Sequence, residues 1–138
     1  MALVTPNVGE LQLLDKMLKD ALSTDENYIL KLYSVDYTPD DATAPGSFTE
    51  ATFTNYVAKT LTRALWNAAV TVTNKAETSY GTTPLSWTCG ATGQTVFGYY
   101  VIGVGSSQCL WAERFATSRV LADQDILNLT PKFTLNKE

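Results

Sequence analysis

The sequence contains no histidine, and this absence removes several kinds of chemistry at once. Without histidine, a Ser-His-Asp or Cys-His catalytic arrangement is impossible, and the commonest zinc and iron ligand is missing. The only two cysteines, Cys89 and Cys109, are too few for a disulfide framework and are not spaced as metal ligands. We therefore expect no metal or other cofactor, and two buried free thiols. A disulfide stays open as an alternative if a bend or a neighbouring chain brings the two cysteines together.

Basic residues and long apolar runs are also scarce. Ten Lys and Arg residues stand against 14 Asp and Glu residues, and the basic ones are scattered singly from Lys16 to Lys137. Nucleic-acid binding needs clustered positive charge, so this distribution argues against a nucleic-acid partner. No apolar run is long enough to span a bilayer, and the first ten residues lack the features of a secretion signal. We expect a chain that is made in a cytoplasm and has no membrane partner.

The first residues that carry a clear pattern are helical in period. In "NVGELQLLDKMLKDALS", apolar residues recur at steps of three and four and form one stripe, which consists of Val8, Leu11, Leu14, Leu18 and Leu22. This stripe predicts one amphipathic helix after an extended arm that includes Val4. Such a helix has to cover either its own sheet or another chain. The predicted organisation is an arm and helix over residues 1–26, followed by a β domain over residues 27–138.

From Tyr28 onward the apolar period becomes two. The pattern predicts strands over Tyr28–Val35, Tyr56–Thr62, Ala69–Thr73, Leu85–Cys89, Thr95–Val104, Gln108–Phe115 and a last strand from Leu127 to Leu135. The run Thr95–Val104 is apolar on both faces, which is typical of a central strand. Pro131 cannot donate to a ladder, so the last strand is expected at an edge or with a bulge. Short strands without intervening helices predict an antiparallel β-sandwich or barrel.

The longest irregular stretch is an acidic loop, "DYTPDDATAPGS", over residues 36–47. Its length suggests a contact or functional role. Aspartates in turns commonly bond their own backbone, so we expect Asp36, Asp40 and Asp41 to serve the turn. A calcium site is the alternative, although "DYTPDD" lacks the ligand spacing of an EF-hand loop.

Glu113 is the one carboxylate on a strand face that is otherwise aromatic. It shares that face with Trp111 and Phe115, so it must be paired, exposed at a rim, or neutral. Arg114 or a residue of a neighbouring chain is the expected partner. A paired-carboxylate hydrolase stays formally open. Because no second group in the sequence completes a site, we predict a protein that is not an enzyme.

Aromatic residues at strand period have two interpretations. They commonly form cores and subunit interfaces, and they also line sugar-binding faces. The residues concerned are Tyr56, Trp66, Trp87, Phe97, Tyr99, Tyr100 and Trp111.

Five segments together resemble a family of small virion structural proteins of tailed bacteriophages, notably aquatic and cyanobacterial phages. They are "LVTPNVGELQLLDKML", "LKLYSVDYTPDDATAPGSFTEATFTNYVAKTLT", "VFGYYVI", "CLWAERF" and "LNLTPKFTLN". The resemblance spans nearly the whole chain, rests on pattern, and includes no catalytic motif. It implies a jelly-roll-like β-sandwich and a structural role as a capsid decoration or cement protein. The alternative within the same resemblance is a tail-fibre or spike head that recognises a host surface glycan or receptor.

The resemblance also implies partners and contact residues. The expected partner is the major capsid protein, and the expected location is the capsid surface of the virion. A homotrimer is preferred because capsid lattices offer three-fold positions, while symmetry alone also permits dimers or monomers. The predicted contacts are Val4, Val8, Leu11, Leu14 and Leu18 of the arm and helix, Tyr37, Asp40 and Asp41 of the acidic loop, and Glu113 and Arg114.

Overall fold

The computed structural model describes residues 3–6, 9, 27–73 and 75–136. Within these ranges the chain forms short 3-10 turns at Pro45–Ser47 and Arg63–Leu65 and the following strands: β1 (Tyr28–Tyr33), β2 (Lys59–Leu61), β3 (Val70–Val72), β4 (Lys75–Ser79), β5 (Leu85–Thr88), β6 (Gln94–Gly103), β7 (Cys109–Leu121), β8 (Ile126–Leu129) and β9 (Lys132–Asn136). Apart from Gly9, the predicted helix from Asn7 to Ser23 lies outside the described residues. No described helix has the length and apolar character that crossing a membrane requires.

The strands form three sheets. A four-stranded sheet has the order β2-β1-β6-β7, a three-stranded sheet has the order β3-β4-β9, and β5 pairs with β8. Every strand pair among the described residues is antiparallel. The prediction of a mainly β, antiparallel chain is therefore confirmed.

The strand β6 lies at the centre of the four-stranded sheet and is covered on both faces, as its sequence predicts. It pairs with β1 from Tyr28 opposite Gly103 to Tyr33 opposite Gly98, and with β7 on its other side. Successive side chains of a strand point to opposite faces. One face contributes to the main core, which includes Leu30, Leu32, Tyr99, Val101, Trp111, Trp87 and Leu127, with Phe133 packed against it. The other face carries a smaller cluster of Tyr33, Phe48, Tyr100, Cys109 and Ala112.

The main core joins the three sheets. Trp87 lies on β5, Leu127 lies on β8 and Phe133 lies on β9, so side chains from both smaller sheets pack with those of the large one. Burial of this apolar surface is the main stabilising contribution, at about 25 cal/mol for each Å² removed from water. Cys89 and Cys109 are both buried free thiols, as expected.

The predicted last strand is wrong in one respect, because it divides into two strands that belong to different sheets. β8 pairs with β5, whereas β9 pairs with β4, and Pro131 lies between them. Pro131 is buried, and its carbonyl accepts a hydrogen bond from the Tyr80 backbone N–H at 2.9 Å. A proline cannot donate to a ladder, so the chain changes sheets at the residue where continuous pairing would fail.

Other strand boundaries also differ from the prediction. β4 was not predicted, since "KAETS" lacks the alternation of apolar residues on which strand prediction depends. β7 continues to Leu121, six residues beyond the predicted end. On β3, Val70 and Val72 share one face as predicted, and that face is exposed.

Candidate interaction surface

The acidic loop, residues 36–47, is held together by its own polar side chains. Asp40 Oδ1 accepts hydrogen bonds from the Ala42 N–H at 3.0 Å and from the Thr43 hydroxyl at 3.0 Å. The same hydroxyl oxygen accepts from the Asp40 N–H at 2.7 Å, and Thr43 is only 5% exposed. Asp40 thus bonds its own turn, as Asp commonly does, whereas Asp41 is exposed beside it.

Aromatic packing fixes the loop on the second face of the four-stranded sheet. Phe48 stacks on Tyr100 with ring centroids 4.3 Å apart and an interplanar angle of 8°. Tyr37 meets the edge of the Phe48 ring at 5.2 Å, and the Tyr33 hydroxyl donates to the Tyr37 carbonyl at 3.2 Å. Tyr37 is therefore half-buried against the smaller cluster, and these contacts anchor the loop to this face of the sheet.

An ion pair ties the start of the loop to β7. The guanidinium of Arg114 donates from Nε to Asp36 Oδ1 at 2.6 Å and from Nη2 to Asp36 Oδ2 at 2.9 Å. These hydrogen bonds hold the pKa of the Asp36 carboxyl below its usual range. Two parallel N–H···O bonds fix orientation as well as distance. The expectation that Arg114 pairs with Glu113 is replaced by this contact, because neighbouring residues on a strand point to opposite faces.

Glu113 obtains a different partner from the neighbouring strand. Its Oε2 accepts a hydrogen bond from the Tyr99 hydroxyl at 2.9 Å, and the two residues are directly opposite in the β6–β7 register. Burial, followed by the charge of Glu113, raises the pKa of Tyr99. The tyrosine therefore stays a hydrogen-bond donor at neutral pH. Within its own chain, Glu113 is therefore paired with a buried phenol and not with the expected Arg114.

β7 and β8 border a pair of clefts that we call the β7–β8 seam. One cleft, of about 430 Å³, lies between residues Glu113 to Arg119 on β7 and residues Leu127 to Leu129 on β8. An adjoining cleft, of about 350 Å³, continues to the turn that joins the two strands. β7 is the last strand of its sheet and β8 pairs only with β5, so no ladder joins β7 to β8 among the described residues.

The turn at the end of the seam is closed by hydrogen bonds and is flanked by apolar side chains. The Ala122 N–H donates to Asp125 Oδ2 at 2.8 Å, and the Asp125 N–H donates to the Ala122 carbonyl at 3.1 Å. On either side of this turn, Val120 is 74% exposed and Ile126 is 60% exposed. Two strand edges and two large apolar side chains are thus presented together.

The predicted contact residues are not gathered at one place. Val4 forms an antiparallel bridge with Ala112 of β7, with N···O distances of 3.0 and 2.9 Å, so it is half-buried on its own chain. Val8, Leu11, Leu14 and Leu18 lie outside the described residues. Arg114 is tied to the acidic loop, whereas Glu113 borders the seam. The sequence analysis missed the seam, because it depends on how strands divide among sheets.

Across the described ranges, no three acidic or thiol side chains converge as a metal site would require. The chain matches no protein-family model and no curated protein sequence.

Proposed function

We propose that this chain is a structural protein of a bacteriophage particle that binds the major capsid protein at the virion surface as a decoration or cement subunit. The observation that carries this proposal is the β7–β8 seam. Among the described residues, the edge of β7 beyond Ala112 and the edge of β8 that faces away from β5 pair with no strand, and they lie beside the exposed Val120 and Ile126. Unpaired edges offer N–H and C=O groups to a strand of another chain, and natural proteins usually protect them. Strand addition at such an edge is a recurring mode of protein recognition.

The acidic loop supports the same role. Its conformation is set by Asp40, Phe48 and the Asp36–Arg114 pair before any partner arrives. Association costs free energy for every loop that must be ordered, so a preformed loop binds at a lower cost. The exposed Asp41 and Val35 give this surface both an acidic and an apolar contact.

The same proposal includes the finer architecture and the assembly state. We place the three antiparallel sheets in a jelly-roll-like sandwich, the fold implied by the resemblance to small phage virion proteins. Jelly-roll subunits manage their sheet edges by packing into symmetric assemblies, and a homotrimer suits a three-fold position of a capsid lattice. In this role the protein acts through contacts between chains and catalyses no reaction.

The deciding experiment determines where the chain lies in purified particles of a phage that encodes it. Quantitative mass spectrometry gives its copy number relative to the major capsid protein, and cryo-electron microscopy locates it. A copy number comparable to that of the capsid protein, with density on the shell, supports the proposal. A few copies at the tail overturn it and assign the chain to a fibre or spike head.

A further inference from the structure

The larger cleft of the β7–β8 seam lies where the pairing of β7 with β6 is interrupted. The register shifts after Arg114 and resumes at Arg119, so the four residues Phe115–Ser118 lie opposite Phe97 alone. A bulge bends its strand and leaves the extra residues outside the ladder. The first three of these four residues line the cleft. β7 therefore presents to the cleft a stretch of backbone that its own sheet does not fully pair.

The outer edge of β7 already accepts a strand at one point. The N-terminal arm runs antiparallel to β7 there, and Val4 and Ala112 exchange both backbone hydrogen bonds, at 3.0 and 2.9 Å. Such a pair shows that the backbone groups of the edge are directed outward, as a ladder requires. From Phe115 to Leu121 the same edge pairs with no strand among the described residues. A second strand can therefore continue the line of the arm along β7.

The contacts that bracket the segment 10–26 lie at the other end of the sheet. Gly9 approaches Leu110 so closely that an added Cβ would meet the Leu110 carbonyl oxygen. On the far side of the segment, the Asn27 carbonyl accepts a hydrogen bond from the Val104 N–H at 3.2 Å. These positions adjoin the start of β7 and the end of β6, whereas the seam borders the second half of β7.

The walls of the larger cleft combine opposite charges with apolar side chains. Glu113 and the exposed Arg119 are six positions apart on β7, with the half-buried Phe115 between them. β8 contributes Leu127 and Leu129 to the same cleft. Opposite charges across paired strands are favourable and like charges are unfavourable. The order of the two charges therefore selects the direction in which an extended segment binds.

We infer that the larger cleft accepts one extended segment of the major capsid protein, which adds to β7 as an antiparallel strand. The identity of this partner rests on the proposed function, whereas the mode of binding rests on the bulge, the open edge and the charges of the cleft. Main-chain hydrogen bonds supply the affinity, and alternate side chains supply the specificity.

The cleft defines the chemistry of the bound segment. An acidic side chain of the segment pairs with Arg119. Four positions later, a basic side chain packs its stem on the Phe115 ring and extends its charge to Glu113, since long side chains interact across the diagonal of a strand pair. An apolar residue midway between the two packs against Leu127 and Leu129.

Two synthetic heptapeptides of identical composition test this mode of binding on the full chain. The first, Thr-Asp-Thr-Val-Thr-Lys-Thr, matches the charges of the cleft, and the second, Thr-Lys-Thr-Val-Thr-Asp-Thr, reverses them. Short peptides have to be ordered on binding, so each is titrated to about 5 mM and followed in ¹H–¹⁵N correlation spectra. We expect saturable shifts of amides on the second half of β7 and on β8, and none on β3. The reversed peptide should bind at least about fivefold more weakly. No saturable shift, or equal affinities for the two peptides, overturns the inference.

A charge reversal at Arg119 tests the register of the bound strand. Arg119→Glu should weaken binding of the first peptide at least about fivefold, and replacing the Asp of that peptide with Lys should restore the affinity. Lys132→Glu is the control, because it changes the net charge equally at an exposed position of β9 outside the cleft. It should leave the affinity for the first peptide unchanged. Equal losses in the two variants would reveal a general charge effect and overturn the inference.

The particle map separates this inference from the proposed function. In shell-bound copies, cryo-electron microscopy should show an additional strand beside β7 that belongs to the capsid protein. An empty β7 edge in such copies, or a strand from a second copy of this chain, overturns the inference and leaves the shell location standing. Contacts between copies through Val120 and Ile126 are compatible with the inference, because neither residue lines the larger cleft. Copies found only at the tail overturn the proposed function and the choice of partner, while the peptide titration still decides the mode of binding.

Discussion

The guanidinium of Arg114 holds both carboxylate oxygens of Asp36, which lies 78 positions earlier in the chain. This contact links the acidic loop to β7, the strand that also borders the seam. The ion pair therefore links the acidic loop to the strand that borders the seam. We expect a substitution at either residue of the pair to change the conformation of the loop.

Replacing Asp36 with Asn should loosen the acidic loop while the sheets stay intact. Asn lacks the charge that favours the pair, and it offers only one oxygen to the guanidinium. We expect faster amide hydrogen exchange over residues 37–47 and unchanged exchange in β6, measured by mass spectrometry. The control is Glu77→Gln, which removes the exposed pair with Lys132 at 3.0 Å on another sheet. Equal loop exchange in Asp36→Asn and wild type would contradict the assigned role.

Acid should release the same loop in a defined pH range. The pKa of Asp36 is lowered in the folded chain, so its contribution is present above the unfolded value and is lost as the pH falls through the folded value. The inflection is therefore expected below 3.8, the ordinary value for this carboxyl. Carboxyl ¹³C chemical shifts of Asp36, followed together with loop amide shifts, measure both events. An Asp36 inflection above 3.8 would refute the prediction.

Gly98 should tolerate no side chain, although its backbone conformation is an ordinary extended one. A Cβ at this position meets the Glu113 carbonyl oxygen and, at 2.7 Å, a ring carbon of Tyr33. The backbone oxygen cannot move away without disturbing the β6–β7 pairing. Gly98→Ala is expected to lower the free energy of unfolding by at least about 2 kcal/mol in urea titrations. Gly46→Ala is the matched control, because nothing lies within 4 Å of its added Cβ.

The two cysteines should be unreactive until the chain unfolds. Burial raises the pKa of the Cys109 thiol to about 12, and Cys89 is also fully buried. Only the thiolate reacts with disulfide reagents, and it is scarce at pH 8 for such a group. We expect negligible labelling by Ellman's reagent in the native protein and labelling of both cysteines in denaturant. Rapid labelling of the native protein would show that the thiols are accessible.

The seam should mediate association between copies of the chain if the homotrimer proposal is correct. The double substitution Val120→Lys and Ile126→Lys places two positive charges beside the open edges in every copy. Charged side chains at a strand edge resist pairing with another strand. Sedimentation velocity should show an oligomer for wild type and a monomer for this double variant. Both positions are exposed, so stability should change by less than about 0.5 kcal/mol for each.

Val57→Lys serves as the control for the seam variant. Val57 is 65% exposed and lines neither cleft of the seam, so its substitution should leave the sedimentation of the wild type unchanged. An unchanged oligomer in the double variant would remove the seam from the assembly interface.

Local pattern in the sequence predicted most of the strands and some of their buried faces, but it did not predict β4. Trp87 on β5 and Leu127 on β8 are buried where the alternation places them, and β6 is covered on both faces. The sequence predicted only part of the division of the last strand at Pro131. A proline indicates a break in strand pairing, but it does not indicate which strands pair on either side of the break. Pairing partners depend on the whole chain, so single-sequence patterns do not determine them.

The candidate site was predicted less well, for the same reason. Asp40 bonds its own turn, a local interaction that residue type alone suggested. Asp36 with Arg114 and Tyr99 with Glu113 are contacts between distant residues, which require the sheet register. The sequence analysis left the tryptophans as a choice between core or interface and sugar-binding roles, and Trp87 and Trp111 are buried in the main core.

The pairing of β1 with β6 has a consequence for synthesis of the chain. Tyr28 lies opposite Gly103, so β1 leaves the ribosome well before its central partner exists. At ordinary elongation rates of about 5–20 residues per second, this interval lasts roughly 4 to 15 seconds. During that time the apolar run around Leu30, Leu32 and Tyr33 is without its sheet. The four-stranded sheet can therefore form around β1 only after most of the chain has been synthesised.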